Sequence, residues 1–288
     1  MPITVHRIST PIDDAERAQL VFAGQLLIFD YTDAIADPCA FADQQIRAAF
    51  MDDDPETAQQ RIECKPYIAA AESLQQRFRG DAQSKRLFRH CLRAVGVDTE
   101  QCYRDRIGLR ILPYGASHSG GAMSTTHVHR DTWGSNLYQQ VNWWLPVYPL
   151  NPRRTIAFYP RYWHTPIANT SDTWKFETYM ERRDAAACAA EIGYPPAPEL
   201  RAEIDRRDEL RVMPQPGELL CFSGAHLHVG VANDSDRARF SIESRTVSLH
   251  DISAKREAPN IDGHGYQPMT RWFRHIQSGE PLCNAVPQ

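Results

Sequence analysis

Two short segments of this chain carry side chains that could hold a metal. The first is Thr126-His127-Val128-His129-Arg130-Asp131-Thr132-Trp133, and the second is Ala225-His226-Leu227-His228-Val229-Gly230. On a β-strand successive side chains point to opposite faces, so His129 and Asp131 are expected to project together into one cavity. His228, from a distant strand, adds a second imidazole. Two histidines and one carboxylate on one face of an octahedron leave the opposite positions open, the arrangement that non-haem Fe(II) oxygenases use for cosubstrate and oxygen. Strand parity also places His127 with His129 and His226 with His228, so either neighbour could take the ligand role.

The residues after the distal histidine suggest how the cavity is completed. Pro216-Gly217-Glu218-Leu219-Leu220-Cys221-Phe222 reads as a turn and a buried strand, and Asn233-Asp234-Ser235-Asp236 as a second turn. The returning segment Arg237-Ala238-Arg239-Phe240-Ser241-Ile242-Glu243-Ser244-Arg245 alternates, with Arg239 and Ser241 on one face. A hairpin would bring that face back beside the metal. Arg237 and Arg245 share its parity, so register decides among the three arginines. Taken alone, Arg237 reads as solvated and Arg245 as a structural ion-pair partner.

This ordered set resembles the 2-oxoglutarate-dependent Fe(II) oxygenases, most nearly the phytanoyl-CoA dioxygenase-like group, over roughly residues 105 to 250. The resemblance implies that His129, Asp131 and His228 hold iron. It also implies that Arg239 grips the distal carboxylate of 2-oxoglutarate, with Ser241 completing the Arg-x-Ser pair. A guanidinium suits that task because its donors form a fixed fork that a lysine cannot reproduce. The His-x-Asp pattern favours His129 as ligand, and the distance to Arg239 favours His228. His127 and His226 then brace the ligands or face the substrate. One departure concerns the substrate rather than the metal: the family usually has an acidic-glycine segment and a Pro-Gly-Ser-His turn where this chain has Pro152-Arg153-Arg154-Thr155-Ile156-Ala157-Phe158-Tyr159-Pro160.

Composition narrows the setting. A chain of 288 residues with 42% hydrophobic content can bury a sizeable core. The formal charge of −4 gives no electrostatic support to a nucleic-acid partner. No apolar run reaches the roughly 18–20 residues of a membrane span, and the first residues lack the apolar core of a signal peptide, so a cytoplasmic protein is expected. Seven cysteines without a Cys-x-x-Cys read as reduced thiols. There is no His-Glu-x-x-His, Walker loop or Gly-x-Gly-x-x-Gly.

The elements that must position these residues fall into three stretches. Residues 1–104 read as a helical layer, with Asp13 or Asp14 capping one helix through Ala23, Pro38 opening another through Met51, a long stretch from Pro55, and a helix from Ser84 to Val95. Residues 105–250 read as the catalytic core. Within it, 136–149 is the clearest strand, and its buried amides Gln140 and Asn142, or Gln139, are candidates for cosubstrate contact, because an unbonded amide on an inward face is costly. Charged, helix-like sequence at 184–210 suits an insertion serving as lid or oligomer contact, and 251–288 reads as a C-terminal tail. The fold these stretches suggest is mainly β with flanking helices: a double-stranded β-helix, the jelly-roll, cupin-like barrel. The expected partner is a small molecule. Arg130, Arg153 and Arg154 hint that it is anionic, and Arg130 and Trp133 join His127 and His226 as candidate substrate contacts. Fe(II), 2-oxoglutarate and O2 are the implied cofactors. The rival readings are an Fe(II) oxygenase that needs no 2-oxoglutarate and a ligand-binding barrel without turnover.

Overall fold

The computed structural model describes residues 3–51, 53–115, 127–179, 181 and 197–286. Along the chain come β1 (Val5–Ile8), α1 (Asp14–Phe22), β2 (Leu26–Phe29), α2 (Asp33–Phe50), α3 (Cys64–Gly80), α4 (Ala82–Ala94), β3 (Cys102–Arg104) and β4 (Gly108–Leu112). A four-residue helix α5 (Thr132–Ser135) precedes β5 (Val141–Pro146), β6 (Ile156–Phe158), β7 (Leu210–Val212), β8 (Leu219–Ser223), β9 (His228–Gly230), β10 (Arg239–Ser248) and β11 (Arg274–His275).

Side-chain caps start the helices. Asp13 accepts from Glu16 N at 2.8 Å to begin α1, and Asp81 accepts from Ser84 N at 2.7 Å to begin α4. The expected start of α2 at Pro38 is corrected. Thr32 caps the helix six residues earlier, and Pro38 lies inside it. Likewise Pro55 opens only a 3-10 turn over Pro55–Gln60, and α3 starts at Cys64. Nor are residues 1–104 a purely helical layer, since β1 and β2 pair in parallel and β2 then joins β8. No helix among the described residues is long and apolar enough to cross a membrane.

The strands form two sheets. The larger has eight strands in the order β1-β2-β8-β5-β10-β3-β11, with β4 also pairing with β10, and the smaller runs β7-β6-β9. Neither sheet closes on itself among the described residues. The helices cover one face of the large sheet, where Phe240, Ile242, Trp143, Leu145 and Cys221 meet Ile35, Ile46, Leu74 and Phe88. The small sheet covers the other face through Leu26, Ile28, Trp144, Leu220 and Phe222 against Ile156, Phe158 and Val212. Burying each such side chain contributes about 1.5–3 kcal/mol. Both covered faces are apolar toward the β1 edge, and the second turns polar around β10.

Three expectations for the core change. The long strand expected over 136–149 spans only Val141–Pro146, because Asn136 adopts a left-handed conformation (φ 48°) that ends α5. The His-x-Asp pair is not on a strand: His129 forms an isolated bridge with His228, and the chain then turns directly into α5. Of the expected helical insertion at 184–210, residues 184–196 lie outside the described residues, and 197–209 contain no helix. Residues beyond 250 are woven into the fold, since β11 pairs with β3 and Asp262 is buried.

Candidate metal centre

His129, Asp131 and His228 converge. One ligand atom from each lies within 4.8 Å of the others. The arrangement comes from backbone pairing, because His129 and His228 exchange N–H to carbonyl bonds of 3.0 Å in both directions, which sets their rings 4.5 Å apart between centroids. Asp131 reaches the same point from the first turn into α5.

Each imidazole is pinned by a carbonyl two residues earlier. His129 Nδ1 lies 2.7 Å from His127 O, and His228 Nδ1 lies 2.9 Å from His226 O. A carbonyl oxygen only accepts, so Nδ1 donates and Nε2 of the neutral ring presents its lone pair. Those Nε2 atoms face the carboxylate of Asp131, each at 3.8 Å from one of its oxygens. Burial pushes the His228 imidazole down to about 3, with His129 acting in the same direction, so the ring is neutral and ready to ligate. Burial alone would raise the Asp131 carboxyl, but Arg245 and the two histidines hold it well below the usual carboxylate range. Two imidazole nitrogens and a carboxylate thus converge on one point. A cation resolves that arrangement, and two nitrogens and one oxygen suit a divalent first-row metal.

The carboxylate is held from both sides. Asn142 donates to Asp131 Oδ2, and Gln140 Nε2 donates to Asn142 Oδ1 at 2.8 Å. A Cβ at Gly224 would lie 2.7 Å from Gln140 Nε2, so a side chain there would displace the Gln140 amide. Arg245 Nη2 lies 3.1 Å from Asp131 Oδ1, and its Nη1 lies 3.6 Å from Asp105. Burial works against the charged Arg245, yet Asp131, Asp105 and Glu243 raise it well above the ordinary guanidinium range. Gln140 and Asn142, expected at the cosubstrate, therefore brace the metal-facing carboxylate.

Along β10, the positions Arg239, Ser241, Glu243 and Arg245 share the inner face. Register places Ser241 opposite Arg110 of β4, Glu243 opposite Trp144 and Arg245 opposite Asn142 of β5. Arg110 Nε pairs with Glu243 at 3.2 Å. Arg239 is buried, donates from Nη1 to Thr155 O at 2.7 Å, and has its Cζ 5.7 Å from the centroid of the Trp144 ring. Its Nε and the Ser241 hydroxyl have no hydrogen-bond partner among the described residues, although both are buried. Burial, aided by Arg110, lowers Arg239 to about 10, which leaves it charged near neutral pH. A buried cation and hydroxyl with unused polar atoms fit a carboxylate ligand.

The remaining candidates lie elsewhere. His127 is exposed and joins the centre only through its carbonyl. His226 sits in the turn between β8 and β9, not on the strand, so the parity argument fails for it. Its ring packs at a tilt against Trp163, 4.4 Å between centroids, and faces the carbonyls of Ser223 and Gly24. Arg130 and Trp133, expected at the substrate, are buried structural groups: Arg130 pairs with Asp262 at 3.0 Å and donates to Ala225 O and Tyr162 O, and Trp133 donates to Asp262 at 2.8 Å. Arg154 is likewise buried against Glu56, and Arg153 pairs with Asp234, so neither supports an anionic substrate. Arg237 is paired rather than merely solvated, with Asp54 at 2.6 Å and Glu56 at 3.0 Å. Sequence reasoning missed Asp105, Asp262, Arg110 and Glu243. The alternation Arg-x-Ser-x-Glu-x-Arg around the apolar Phe240 and Ile242 was the available signal for Glu243.

No protein-family model matches the chain, and no curated protein matches it. Among solved structures, the apo non-heme monooxygenase ThoJ is 16% identical, with 81% of this chain and 76% of that one covered and a TM-score of 0.40. EvdO2 from Micromonospora carbonacea var. aurantiaca, in complex with 2-oxoglutarate, is 12% identical over 84% of this chain and 93% of that one, with a TM-score of 0.43. The epimerase SnoN, in complex with Fe3+, alpha-ketoglutarate and nogalamycin RO, is 11% identical over 93% of each chain, again with a TM-score of 0.43. The likenesses are distant ones of overall shape, and the functional reading rests on this chain's own atoms.

Proposed function

We propose that the chain is a non-haem Fe(II)- and 2-oxoglutarate-dependent dioxygenase acting on a small molecule, with a clamp of the phytanoyl-CoA dioxygenase-like type in a double-stranded β-helix. The observation that carries the reading is the convergence of three ligand atoms from His129, Asp131 and His228. In this reading those residues hold iron, and Arg239 with Ser241 takes the distal carboxylate of 2-oxoglutarate. When bound, iron and 2-oxoglutarate supply oxidising chemistry that consumes O2 and releases succinate and CO2 as the substrate is hydroxylated.

The chain's own part is orientation. Carbonyls of His127 and His226 fix which nitrogen of each imidazole faces inward, and Asn142 and Arg245 fix the carboxylate. Trp144 and the inter-sheet core keep water from the clamp side. The decisive experiment is anaerobic addition of Fe(II) and 2-oxoglutarate to the purified protein, followed by visible spectroscopy. A weak metal-to-ligand absorption band that needs both additions is the expected result. Iron binding without any 2-oxoglutarate binding would favour an Fe(II) oxygenase with another cosubstrate, and failure to bind iron would end the oxygenase reading.

A further inference from the structure

Asp131 is the one proposed iron ligand that carries charge, and it is already engaged by a cation of the chain itself. Arg245 Nη2 lies 3.1 Å from its Oδ1. The guanidinium does not arrive there by chance of a flexible side chain. Arg245 is anchored on a central strand opposite Asn142, and its backbone N–H donates to Asp105 Oδ1 at 2.9 Å while Asp105 N donates back to Arg245 O at 3.0 Å. Asp105 is itself nearly inaccessible, at 4% exposure, and lies 3.6 Å from Arg245 Nη1. The result is a row Asp105, Arg245, Asp131 in which one cation is shared by two carboxylates.

The like-charge consequence is direct. A buried carboxylate such as Asp131 would be strongly destabilising without a counter-charge. A divalent metal supplies that charge when bound, and Arg245 supplies it otherwise. Both cations then share one carboxylate, and in an interior of reduced dielectric their mutual repulsion is felt at this range.

Building on the oxygenase reading, we propose that Arg245 is a positioning residue that substitutes for the metal's charge at Asp131. It keeps the metal-free centre folded and the carboxylate aimed between the two imidazoles, and it holds divalent-metal affinity below what the three ligands alone would reach. Asp105 sets how strongly it does so, by drawing part of the guanidinium's charge toward itself.

The test titrates Mn(II), which resists oxidation, into metal-free full-length protein by calorimetry, alongside thermal unfolding of the same samples. Arg245→Gln should lower the metal-free unfolding midpoint and tighten Mn(II) binding by about tenfold or more. Arg245→Lys, which restores the charge, should return both toward wild type. Asp105→Asn should shift affinity the other way, weakening Mn(II) by about threefold or more, because the guanidinium then bears on Asp131 alone. Arg245→Gln binding Mn(II) no more tightly than wild type overturns the proposal. Should that variant fail to fold, Asp105→Asn decides alone, and unchanged or tighter Mn(II) binding by it overturns the proposal. Wild-type protein that takes up neither Mn(II) nor Fe(II) overturns the oxygenase reading itself, an outcome distinct from a wild type that binds metal and an Arg245→Gln that binds it no better.

Discussion

Arg239→Lys separates the cosubstrate assignment from the metal assignment. The native guanidinium spends Nη1 on Thr155 O, stacks over Trp144, and leaves Nε unused beside the equally unused Ser241 hydroxyl. A lysine keeps the charge and can replace one donor, but not a second held at fixed geometry. Losing one charge-assisted hydrogen bond costs about 1.5–3 kcal/mol. That translates into roughly 10- to 150-fold weaker 2-oxoglutarate binding. Metal affinity should stay near wild type, since Arg239 touches none of the three ligands. The assay is anaerobic calorimetric titration of 2-oxoglutarate into Mn(II)-loaded protein, with Ser241→Ala expected to lose less. Arg237→Lys is the control, because that side chain is committed to Asp54 and Glu56. If Arg239→Lys binds 2-oxoglutarate like wild type while Arg237→Lys does not, the clamp has been assigned to the wrong arginine.

Other outcomes follow from the same geometry. His129→Ala, Asp131→Ala and His228→Ala should each lose stoichiometric Fe(II) binding while circular dichroism remains native-like, and full iron occupancy in Asp131→Ala would refute the ligand set. His226→Gln should retain metal to within about tenfold, because it contributes its carbonyl rather than its ring. Burial pushes the His226 imidazole down to about 4, so between pH 6.5 and 4 the unfolded chain binds a proton that the folded chain refuses. Stability of the metal-free protein should therefore be full above pH 6.5 and fall as the pH drops through that window, with a shallower fall in His226→Gln measured by urea unfolding. Asp262→Ala strands the buried Arg130 guanidinium and should cost about 3–5 kcal/mol in the same measurement; a loss below 1 kcal/mol would mean that the carbonyls of Ala225 and Tyr162 suffice.

The candidate triad was legible in part: His129 and Asp131 stand two residues apart, and His228 stands in a second His-x-His segment far along the chain. The route was misread, however. His129 and Asp131 meet through a single bridge and a helical turn rather than along a strand, and turn geometry depends on Asn136 adopting a left-handed backbone that sequence alone does not announce. Helix positions were readable to within a turn where a side-chain cap was present, as at Asp13, and failed where Pro38 resembled a start but Thr32 supplied the cap. β1 and β2 were hidden because short strands among helices carry too little periodicity. Arg130 and Trp133 looked like substrate contacts from position alone. Their partner, Asp262, lies 132 residues beyond Arg130, and nothing local marks such a pairing.

The two halves of the centre are fastened very differently. β10 is hydrogen-bonded on both edges, to β5 on one side and to β4 and β3 on the other, and its Phe240 and Ile242 lie in the helix-facing core. Its amides should therefore exchange with solvent only when the whole domain opens, so Arg239, Ser241 and Arg245 are present whenever the protein is folded. His129 and Asp131 have only one backbone bridge and one short turn, and their segment is otherwise held by side chains, with Arg130 and Trp133 both bonded to Asp262. Opening of the His129 segment therefore requires the Asp262 contacts to break but leaves the pairing of β10 intact. Hydrogen exchange measured with and without Mn(II) would read the difference as protection gained at 127–135 and unchanged along 239–248.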